Sequence, residues 1–511
     1  MRGAALSADA VVAVIGAGAM GAGIAQVAAQ SGHAVCLFDS RIGAAEAARG
    51  NIAATLESLA AKGKMSIDAA HSAGARIAPV DALADCVGAK LVVEAIVEDL
   101  EAKRSLLREL EVIVATDAIL ATNTSSLSIT ALAAGLKHPA RVVGMHFFNP
   151  APILPLVEVV SGLETDPVTA DTIYATASAW GKFPVRALST PGFIVNRCAR
   201  PFYGEALRLL SEGAADPATL DAIMRDAGGF RMGPFELMDL IGHDVNFAVT
   251  RSVWDAYFHD PRYTPSVLQQ ELVAAGFFGR KSGRGFFHYG NNAAKADAVA
   301  LPSQPKPIAV RVCGDLGTAT ALVSRLASAN VSVERGPPNS SLPYGAISVG
   351  GGWLALTDGR TATTRAAEVG VRDLVLFDLA LDYATCTRLA ASRSDACSDS
   401  VWDAAVGTLQ AAGIAVSPLD DVAGLALMRT VAMLANEAAD AVTQMIATAH
   451  DIDVAMQKGV NYPLGPLAWA DRIGVAQVRE VLVHLGAQYG DRYRVSPLIA
   501  RRSASGRPLS E

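Results

Sequence analysis

The segment that most constrains the fold is a short apolar run followed by three spaced glycines. Val11–Ile15 reads VVAVI, Gly16, Gly18 and Gly21 follow with the spacing G-x-G-x-x-G, and Ala22–Gln30 has helical character. The first glycine permits a tight turn, the second lets a pyrophosphate approach the backbone, and the third lets helix and strand pack closely. The segment therefore predicts the first strand, turn and helix of a dinucleotide-binding sheet.

An acidic residue supports this interpretation. A second strand pattern, Ala34–Phe38, ends at Asp39, eighteen residues after Gly21. A carboxylate at this position accepts hydrogen bonds from the adenosine ribose 2′-hydroxyl and repels a 2′-phosphate. The pattern therefore predicts NAD rather than NADP as the cofactor. The alternative is a glycine turn that binds nothing, and Asp39 counts against it.

Strand and helix patterns alternate through the first third of the chain. After a long helical stretch at residues 44–61, the apolar runs at residues 91–95, 119–122 and 141–147 are typical of buried parallel strands. This alternation predicts the α/β class, with a Rossmann-type doubly wound parallel sheet. The pattern becomes mostly helical after Thr190, which predicts an all-α domain behind the sheet.

The second half of the chain repeats the first in one register. Residues 181–193 read GKFPVRALSTPGF and residues 413–425 read GIAVSPLDDVAGL. Residues 233–242 read GPFELMDLIG and residues 465–474 read GPLAWADRIG. Both pairs are offset by 232 residues. Matches that hold one register over about sixty residues indicate a duplication, here with a degenerate second copy.

These patterns predict five segments along the chain. They are a Rossmann NAD-binding domain at 1–188, a helical domain at 189–290, an Ala- and Pro-rich linker at 291–306, a degenerate Rossmann-like domain at 307–418 and a second helical domain at 419–511. In the fourth segment, Val310–Val312 and Gly314–Gly317 resemble a degenerate copy of the first strand and its glycine turn.

Composition and charge exclude several classes of protein. The 511 residues are 51% hydrophobic and carry a formal net charge of −7, so several cores are possible and a nucleic-acid partner is not expected. The six cysteines show no C-x-x-C or metal-ligand spacing, so we expect no metal site. Glycines interrupt the apolar stretch 11–29, and no signal-peptide core precedes it, so we expect a cytoplasmic protein without a membrane span.

A histidine and a glutamate form the candidate catalytic pair. His146 ends a strand pattern in MHFFNP, and Glu158 lies inside the next apolar run, LVEVV. Because an unpaired carboxylate in such a strand is costly, we expect it to have a partner. A chain that reverses through residues 150–155 would bring Glu158 beside His146 and leave the other ring nitrogen to accept a hydroxyl proton. A purely structural His–Glu pair is the alternative.

Two polar positions complete the candidate site. Ser125 lies in Asn123-Thr124-Ser125-Ser126, after a strand pattern and therefore where doubly wound sheets bind ligands. It would hold a substrate oxygen, with a plain helix cap as the alternative. Asn196 lies in the apolar run TPGFIVNR, either as a satisfied core amide or as a donor facing the substrate.

Seven segments together resemble the 3-hydroxyacyl-CoA dehydrogenase family of fatty-acid and phenylacetate breakdown. They cover roughly residues 11–290 and read VIGAGAMGAGIAQVAAQSGH, VVEAIVEDLEAK, ATNTSSLSI, GMHFFNPAPILPLVEVV, TPGFIVNR, GPFELMDLIG and FGRKSGRGFFHY. The resemblance implies NAD-dependent oxidation of an (S)-3-hydroxyacyl-CoA thioester to the 3-oxoacyl-CoA. It also implies that the helical domain at 189–290 serves in substrate binding and dimerisation.

The resemblance also assigns roles by position. The implied catalytic group is His146, Glu158, Ser125 and Asn196. Implied cofactor contacts, beyond the glycine turn and Asp39, are Glu98, Lys103, Asn149 and Lys281. Implied contacts with the CoA nucleotide are Thr55, which stands where many members have serine, and Lys62. From the sequence alone, a solvated surface lysine is the alternative for Lys62 and Lys103.

Members of the family pair through the helical domain, so we expect a homodimer or a pseudo-dimer in which the second copy takes the partner's place. Met428 stands at the position matching Asn196 and HFFNP has no counterpart, so we expect one active site per chain. The two-copy layout resembles phenylacetate-pathway members that use 3-hydroxyadipyl-CoA. The alternatives are a 3-hydroxybutyryl-CoA enzyme and, from another class, a non-catalytic crystallin-like relative, which would be expected to lose His146 or Glu158.

Overall fold

The computed structural model describes residues 3–290, 296–339, 342 and 344–511. The chain forms two compact units. The first comprises Met1–Arg197 and Gln444–Val460, and the second comprises Cys198–Thr443 and Asn461–Glu511. The first unit therefore includes a segment from the far end of the chain.

Fifteen strands and twenty α-helices are assigned among the described residues. The strands are β1 (Val11–Ile15), β2 (Val35–Phe38), β3 (Ile77–Pro79), β4 (Ala89–Glu94), β5 (Ile119–Thr122), β6 (Val142–Phe147), β7 (Leu156–Ser161), β8 (Phe183–Leu188), β9 (Ala309–Cys313), β10 (Ser332–Gly336), β11 (Ala346–Val349), β12 (Gly352–Leu356), β13 (Leu374–Phe377), β14 (Arg388–Arg393) and β15 (Ala415–Pro418). The helices are α1 (Ala19–Gln30), α2 (Ala44–Ala61), α3 (Ile67–Ala75), α4 (Leu100–Ile113), α5 (Ile129–Ala133), α6 (Pro167–Ala179), α7 (Val195–Cys198), α8 (Arg200–Ser211), α9 (Pro217–Asp226), α10 (Pro234–Ile241), α11 (His243–Ala256), α12 (Val267–Ala274), α13 (Ala321–Ser328), α14 (Ala362–Val369), α15 (Asp399–Ala411), α16 (Leu427–Thr443), α17 (Ala449–Gly459), α18 (Pro466–Ile473), α19 (Val475–Tyr489) and α20 (Pro497–Ser505).

The first unit is built on an eight-stranded sheet of order β3-β2-β1-β4-β5-β6-β7-β8. All neighbouring strands are parallel except β6 and β7, which are antiparallel. Central strand residues such as Val12, Val14, Leu91 and Val93 are fully buried, as continuous apolar runs covered on both faces require. The predicted Rossmann-type sheet is confirmed, with the expected chain reversal between β6 and β7.

The sheet of the second unit has seven strands in the order β10-β9-β11-β12-β13-β14-β15. It is mixed, because β11 runs antiparallel to both β9 and β12, and β13 runs antiparallel to β14. A turn at Gly350 and Gly351, both with positive φ, joins β11 to β12. A connection this short permits only antiparallel strands, so the parallel crossover of a Rossmann fold is lost here. The degenerate second copy is therefore a reduced, mixed version of the first sheet.

The predicted linker is partly described. Residues 291–295 lie outside the described residues, and residues 296–306 form neither helix nor strand. Val299 donates its backbone N–H to Thr219, and Leu301 donates to the carbonyl of Val416. The described part of this segment belongs to the second unit and is hydrogen-bonded to other residues of that unit. None of the helices in the described part of the chain is long and apolar enough to cross a bilayer.

Candidate active site

The glycine turn joins β1 to α1, and each glycine has its own steric reason. Gly16 has φ +104°, and a Cβ there would lie 2.5 Å from the carbonyl oxygen of Ala95. A Cβ on Gly21 would lie 1.7 Å from the carbonyl oxygen of Gly16. A Cβ on Gly18 would meet no described atom within 4 Å, so the space beside it is open to a ligand. Because no described side chain caps the start of α1, the turn suits a pyrophosphate.

Asp39 lies next to this turn. Its Oδ2 accepts a hydrogen bond from the backbone N–H of Ala17 at 2.8 Å, and its Oδ1 accepts from Nε of Arg41 at 3.0 Å. The hydrogen bond from the Arg41 side chain lowers the pKa of Asp39 to about 2. The carboxylate is therefore ionised at neutral pH and held beside the turn, as contact with a ribose hydroxyl requires. The residues present fit NAD.

Lys103 lies in the interior and not on the surface. It is 1% exposed, and its ammonium lies 2.6 Å from Oε1 of Glu94 and 3.3 Å from Oε2 of Glu98. The surface-lysine alternative is therefore wrong for this residue. Glu98 also accepts hydrogen bonds from Thr124 Oγ1 at 2.6 Å and from the backbone N–H of Ser125 at 2.9 Å. The pair Lys103–Glu98 thus connects α4 to the loop that carries Ser125.

His146 and Glu158 are directly opposite each other in the antiparallel pair β6–β7. Nδ1 of His146 donates to Oε2 of Glu158 at 2.7 Å, and the glutamate is fully buried. Oε1 of Glu158 accepts backbone N–H groups from Ile194 at 3.1 Å and from Val195 at 2.9 Å. Because both carboxylate oxygens are bonded, Glu158 is fixed in place. The arrangement leaves Nε2 of His146 as the nitrogen that can accept a proton.

The remaining polar groups of the candidate site surround this pair. Nδ2 of Asn196 donates to the backbone carbonyl of Ser125 at 3.3 Å, so the structure brings these two predicted residues together. Asn123, which the sequence interpretation did not single out, accepts the backbone N–H of Phe147 at 2.8 Å. It thereby ties the ends of β5 and β6. The ring of Phe148 lies with its centroid 4.4 Å from that of the His146 imidazole.

Other predicted residues lie apart from this cluster. Thr55 is exposed on α2, and its hydroxyl donates to the carbonyl of Asn51 at 2.8 Å. Lys62 is exposed at the C-terminal end of the same helix, about two turns further along. Asn149 is exposed and precedes a cis proline bond. Lys281 belongs to the second unit, where its ammonium pairs with Asp244 at 2.6 Å.

A buried glutamate was missed by the sequence interpretation. Glu94 ends β4 and is fully buried, and besides Lys103 it accepts the hydroxyl of Thr122 at 2.6 Å. The signal was available, because an acidic residue that ends an apolar strand needs a partner, as argued for Glu158. Its partner Lys103 lies on α4, and no sequence pattern indicated that α4 would cover the end of β4.

The second copy differs from the first at the position of the His146–Glu158 pair. Asp378 follows β13, and its backbone N–H donates to the carbonyl of Ala390. Its Oδ2 accepts the N–H groups of Ala426 at 2.9 Å and Leu427 at 2.7 Å, which lie 232 residues after the two amides held by Glu158. Burial raises the pKa of Asp378 to about 6. A carboxylate thus holds the helix start in both copies, but no imidazole of the described residues is hydrogen-bonded to Asp378.

The second glycine turn is altered as well. In Gly314–Gly317, Oδ1 of Asp315 accepts the backbone N–H of Gly317 at 2.9 Å. In the first turn the carboxylate that binds an amide, Asp39, comes from the end of β2, whereas Asp315 lies between the glycines of the second turn and places its negative charge inside that turn, where it would repel an anion.

Three family models match the chain. The model described as 3-hydroxyacyl-CoA dehydrogenase, NAD binding domain, matches residues 11–190. The model of the C-terminal domain of the same enzymes matches residues 192–289 and again 424–509. The model described as 3-hydroxybutyryl-CoA dehydrogenase reduced Rossmann-fold domain matches residues 354–422.

Similar proteins fall into a long and a short group. The chain is 41% identical to a 3-hydroxyadipyl-CoA dehydrogenase of Escherichia coli (strain K12), over 96% of this chain and 97% of that relative. A crystal structure described as 3-hydroxybutyryl-CoA dehydrogenase from Escherichia coli K12 substr. MG1655 is 40% identical with a TM-score of 0.89, and it covers 98% of this chain and 100% of its own. A probable 3-hydroxybutyryl-CoA dehydrogenase of Deinococcus radiodurans is 43% identical over 54% of this chain and 99% of its own length.

Proposed function

The chain belongs to the 3-hydroxyacyl-CoA dehydrogenase family of NAD-dependent oxidoreductases, and we propose that it oxidises (S)-3-hydroxyadipyl-CoA to the 3-oxo thioester in the cytoplasm. The observation that carries the substrate is the match to the 3-hydroxyadipyl-CoA enzyme along both copies, over 96% of this chain. The six cysteines are scattered along the chain without a C-x-x-C pair, which suits a reducing compartment.

We propose the following division of roles. His146 is the general base, whose Nε2 takes the proton of the 3-hydroxyl, and Glu158 stabilises the resulting imidazolium. Ser125 and Asn196, which are hydrogen-bonded to each other, hold the oxygens of the reacting end. NAD, when bound, accepts the hydride that leaves C3. The glycine turn and Asp39 hold the dinucleotide, with further contacts at Glu98 and Asn149, and the buried Lys103 fixes Glu98 through its ion pair.

For the CoA nucleotide we propose the exposed end of α2. Thr55 offers a hydroxyl and Lys62 an ammonium on that helix, and both groups face solvent, as contact with a phosphate requires.

The second candidate function is oxidation of 3-hydroxybutyryl-CoA, which the name of the similar crystal structure favours. The deciding experiment measures kcat/KM for NADH formation on (S)-3-hydroxyadipyl-CoA and (S)-3-hydroxybutyryl-CoA, with NAD and with NADP. We expect a preference for the dicarboxylic thioester by about tenfold or more with NAD. A preference for the butyryl thioester would assign the second function, and inactivity on both would contradict the reaction itself.

We propose that the predicted segments act as one internal pseudo-dimer, in which the helical copy at 419–511 takes the place of a partner chain beside the copy at 189–290. The second unit supports this with reciprocal buried contacts. Tyr263 donates its hydroxyl to Glu437 at 2.6 Å, and Tyr493 donates to Glu205 at 2.7 Å. Both glutamates are fully buried and lie 232 residues apart, as two halves of a pseudo-symmetric interface would.

One NAD per chain is expected in isothermal titration calorimetry. The first turn has the full G-x-G-x-x-G spacing and opens into α1, whereas the second carries Asp315 between its glycines and continues into the short 3-10 helix Gly317–Thr320. A Gly18→Val variant should fold, since its Cβ meets no described atom within 4 Å, and should lose all NAD binding because the side chain fills the pyrophosphate space. Residual stoichiometric binding in that variant would reveal a second site and contradict the expectation.

A further inference from the structure

A segment of the second copy belongs to the unit that carries the candidate active site. Gln444–Val460 clusters with Met1–Arg197, and within it α17 packs against β7 and β8. The backbone N–H of Leu188, at the end of β8, donates to the carbonyl of Ile446 at 2.9 Å. The strand that carries Glu158 is therefore covered by a helix from the other half of the chain.

Two contacts of this segment flank Asn196. Before it in sequence, Val195 lies against Gly459, where an added Cβ would be 3.2 Å from Cγ2 of Val195 and 2.5 Å from Cδ2 of Leu156. After it, Nη1 of Arg197 donates to Oε1 of Gln444 at 2.8 Å, and Arg197 is 1% exposed. The short helix α7 is thus held on both sides by residues of the second copy.

A displacement of α7 would disturb two hydrogen bonds of the proposed active site. The backbone N–H of Val195 holds Oε1 of Glu158, the partner of His146, and the amide of Asn196 holds the carbonyl of Ser125. Misplacement of reacting groups by about 1 Å can lower the rate by about a hundredfold. The position of α7 therefore affects both the base and the groups that hold the substrate.

We infer that Gln444 and Gly459 are positioning residues for the active site of the first copy, and that the second copy serves catalysis through them. This inference rests on the proposed function. Gln444 fixes Arg197, and the missing side chain of Gly459 leaves room for Val195 and Leu156. The second copy is then an integral part of the site and not merely a replacement for an absent partner.

The duplication supplies matched positions that should not affect the reaction. At an offset of 232, Gln444 corresponds to Glu212, which accepts from Nη1 and Nη2 of Arg429 at 2.8 Å each. Gly459 corresponds to Ala227, which follows α9, a helix that packs against β14. The second sheet carries Asp378 in place of the catalytic pair, so these positions are equivalent in packing but not beside the proposed chemistry.

The experiment compares Gly459→Val with Ala227→Val, and Gln444→Ala with Glu212→Ala, in the full-length protein. Gly459→Val is expected to lower kcat by about tenfold or more, with the Kd for NAD unchanged within about twofold. Gln444→Ala is expected to lower kcat by about threefold to tenfold, and Gln444→Glu to restore it, because a carboxylate still accepts from Arg197. The partner variants at Ala227 and Glu212 should lower Tm and leave kcat within about twofold.

Each outcome has a defined meaning. Loss of kcat in the Gly459 and Gln444 variants beyond that in their partners, at similar Tm, would establish the positioning role. Equal kcat values within each pair, with an active wild-type enzyme, would overturn the inference while leaving the proposed function intact. An inactive wild-type enzyme would overturn the proposed function itself. If Gly459→Val does not fold, the Gln444 pair decides the question.

Discussion

Replacement of His146 by glutamine is expected to lower kcat by a factor of about 10²–10⁴, the usual contribution of a general base. The glutamine amide can still donate to Oε2 of Glu158, so the buried carboxylate keeps a partner. It offers no basic nitrogen in the position of Nε2, and the 3-hydroxyl proton then has no acceptor. Steady-state NADH formation on both thioesters measures the effect, which should be equal for the two because the base acts at C3 in each.

His33 provides a matched control for this substitution. It is also buried, at 3% exposure, and its Nδ1 lies 3.0 Å from the carbonyl oxygen of Ala10 in the same unit. His33→Gln should therefore lower Tm but leave kcat unchanged. Isothermal titration should give wild-type NAD affinity for His146→Gln, since the glycine turn and Asp39 are untouched. A His146→Gln enzyme with normal kcat would remove this residue from the role of base.

The parts of the site that the sequence predicted are those with a local pattern or a costly burial. The turn at Gly16–Gly21 was recognisable because strand, glycine spacing and helix are contiguous. The pair His146–Glu158 was recognisable because a charged residue in a buried strand requires a partner and the intervening prolines imply a reversal of the chain. In both cases one physical requirement restricted the structure to a single arrangement.

The parts that the sequence did not predict depend on packing between distant segments. Nothing in the sequence of Gln444–Val460 indicated that its helix α17 would pack against β7 and β8 of the first sheet, which lie nearly three hundred residues earlier in the chain. The burial of Lys103 likewise depends on how α4 lies across the end of β4. The antiparallel pairing of β11 with β12 follows from the turn at Gly350 and Gly351, whereas the sequence pattern predicted only a degenerate Rossmann-like domain.

Substitution of Glu158 by glutamine tests the relation between the carboxylate and the imidazole tautomer. The backbone N–H groups of Ile194 and Val195 need an acceptor, so Oε1 of the glutamine is expected to stay toward them. The glutamine NH₂ then faces Nδ1 of His146 and donates to it. The ring proton must move to Nε2, which can no longer accept the proton of the substrate. We expect kcat to fall by about 10³–10⁴ with little change in Tm.

The reverse orientation of the glutamine would give a different and recognisable result. With its oxygen toward His146, the NH₂ group would face the two backbone N–H donors, and these buried groups would lose their acceptor. The tautomer and much of kcat would then survive, while Tm would fall by several degrees because two buried donors are unsatisfied. Measuring kcat and Tm on the same preparation separates the two cases, with Glu158→Asp as a control that keeps the charge. Wild-type kcat together with wild-type Tm would contradict both, and would mean that neither the helix start nor the imidazole depends on this carboxylate.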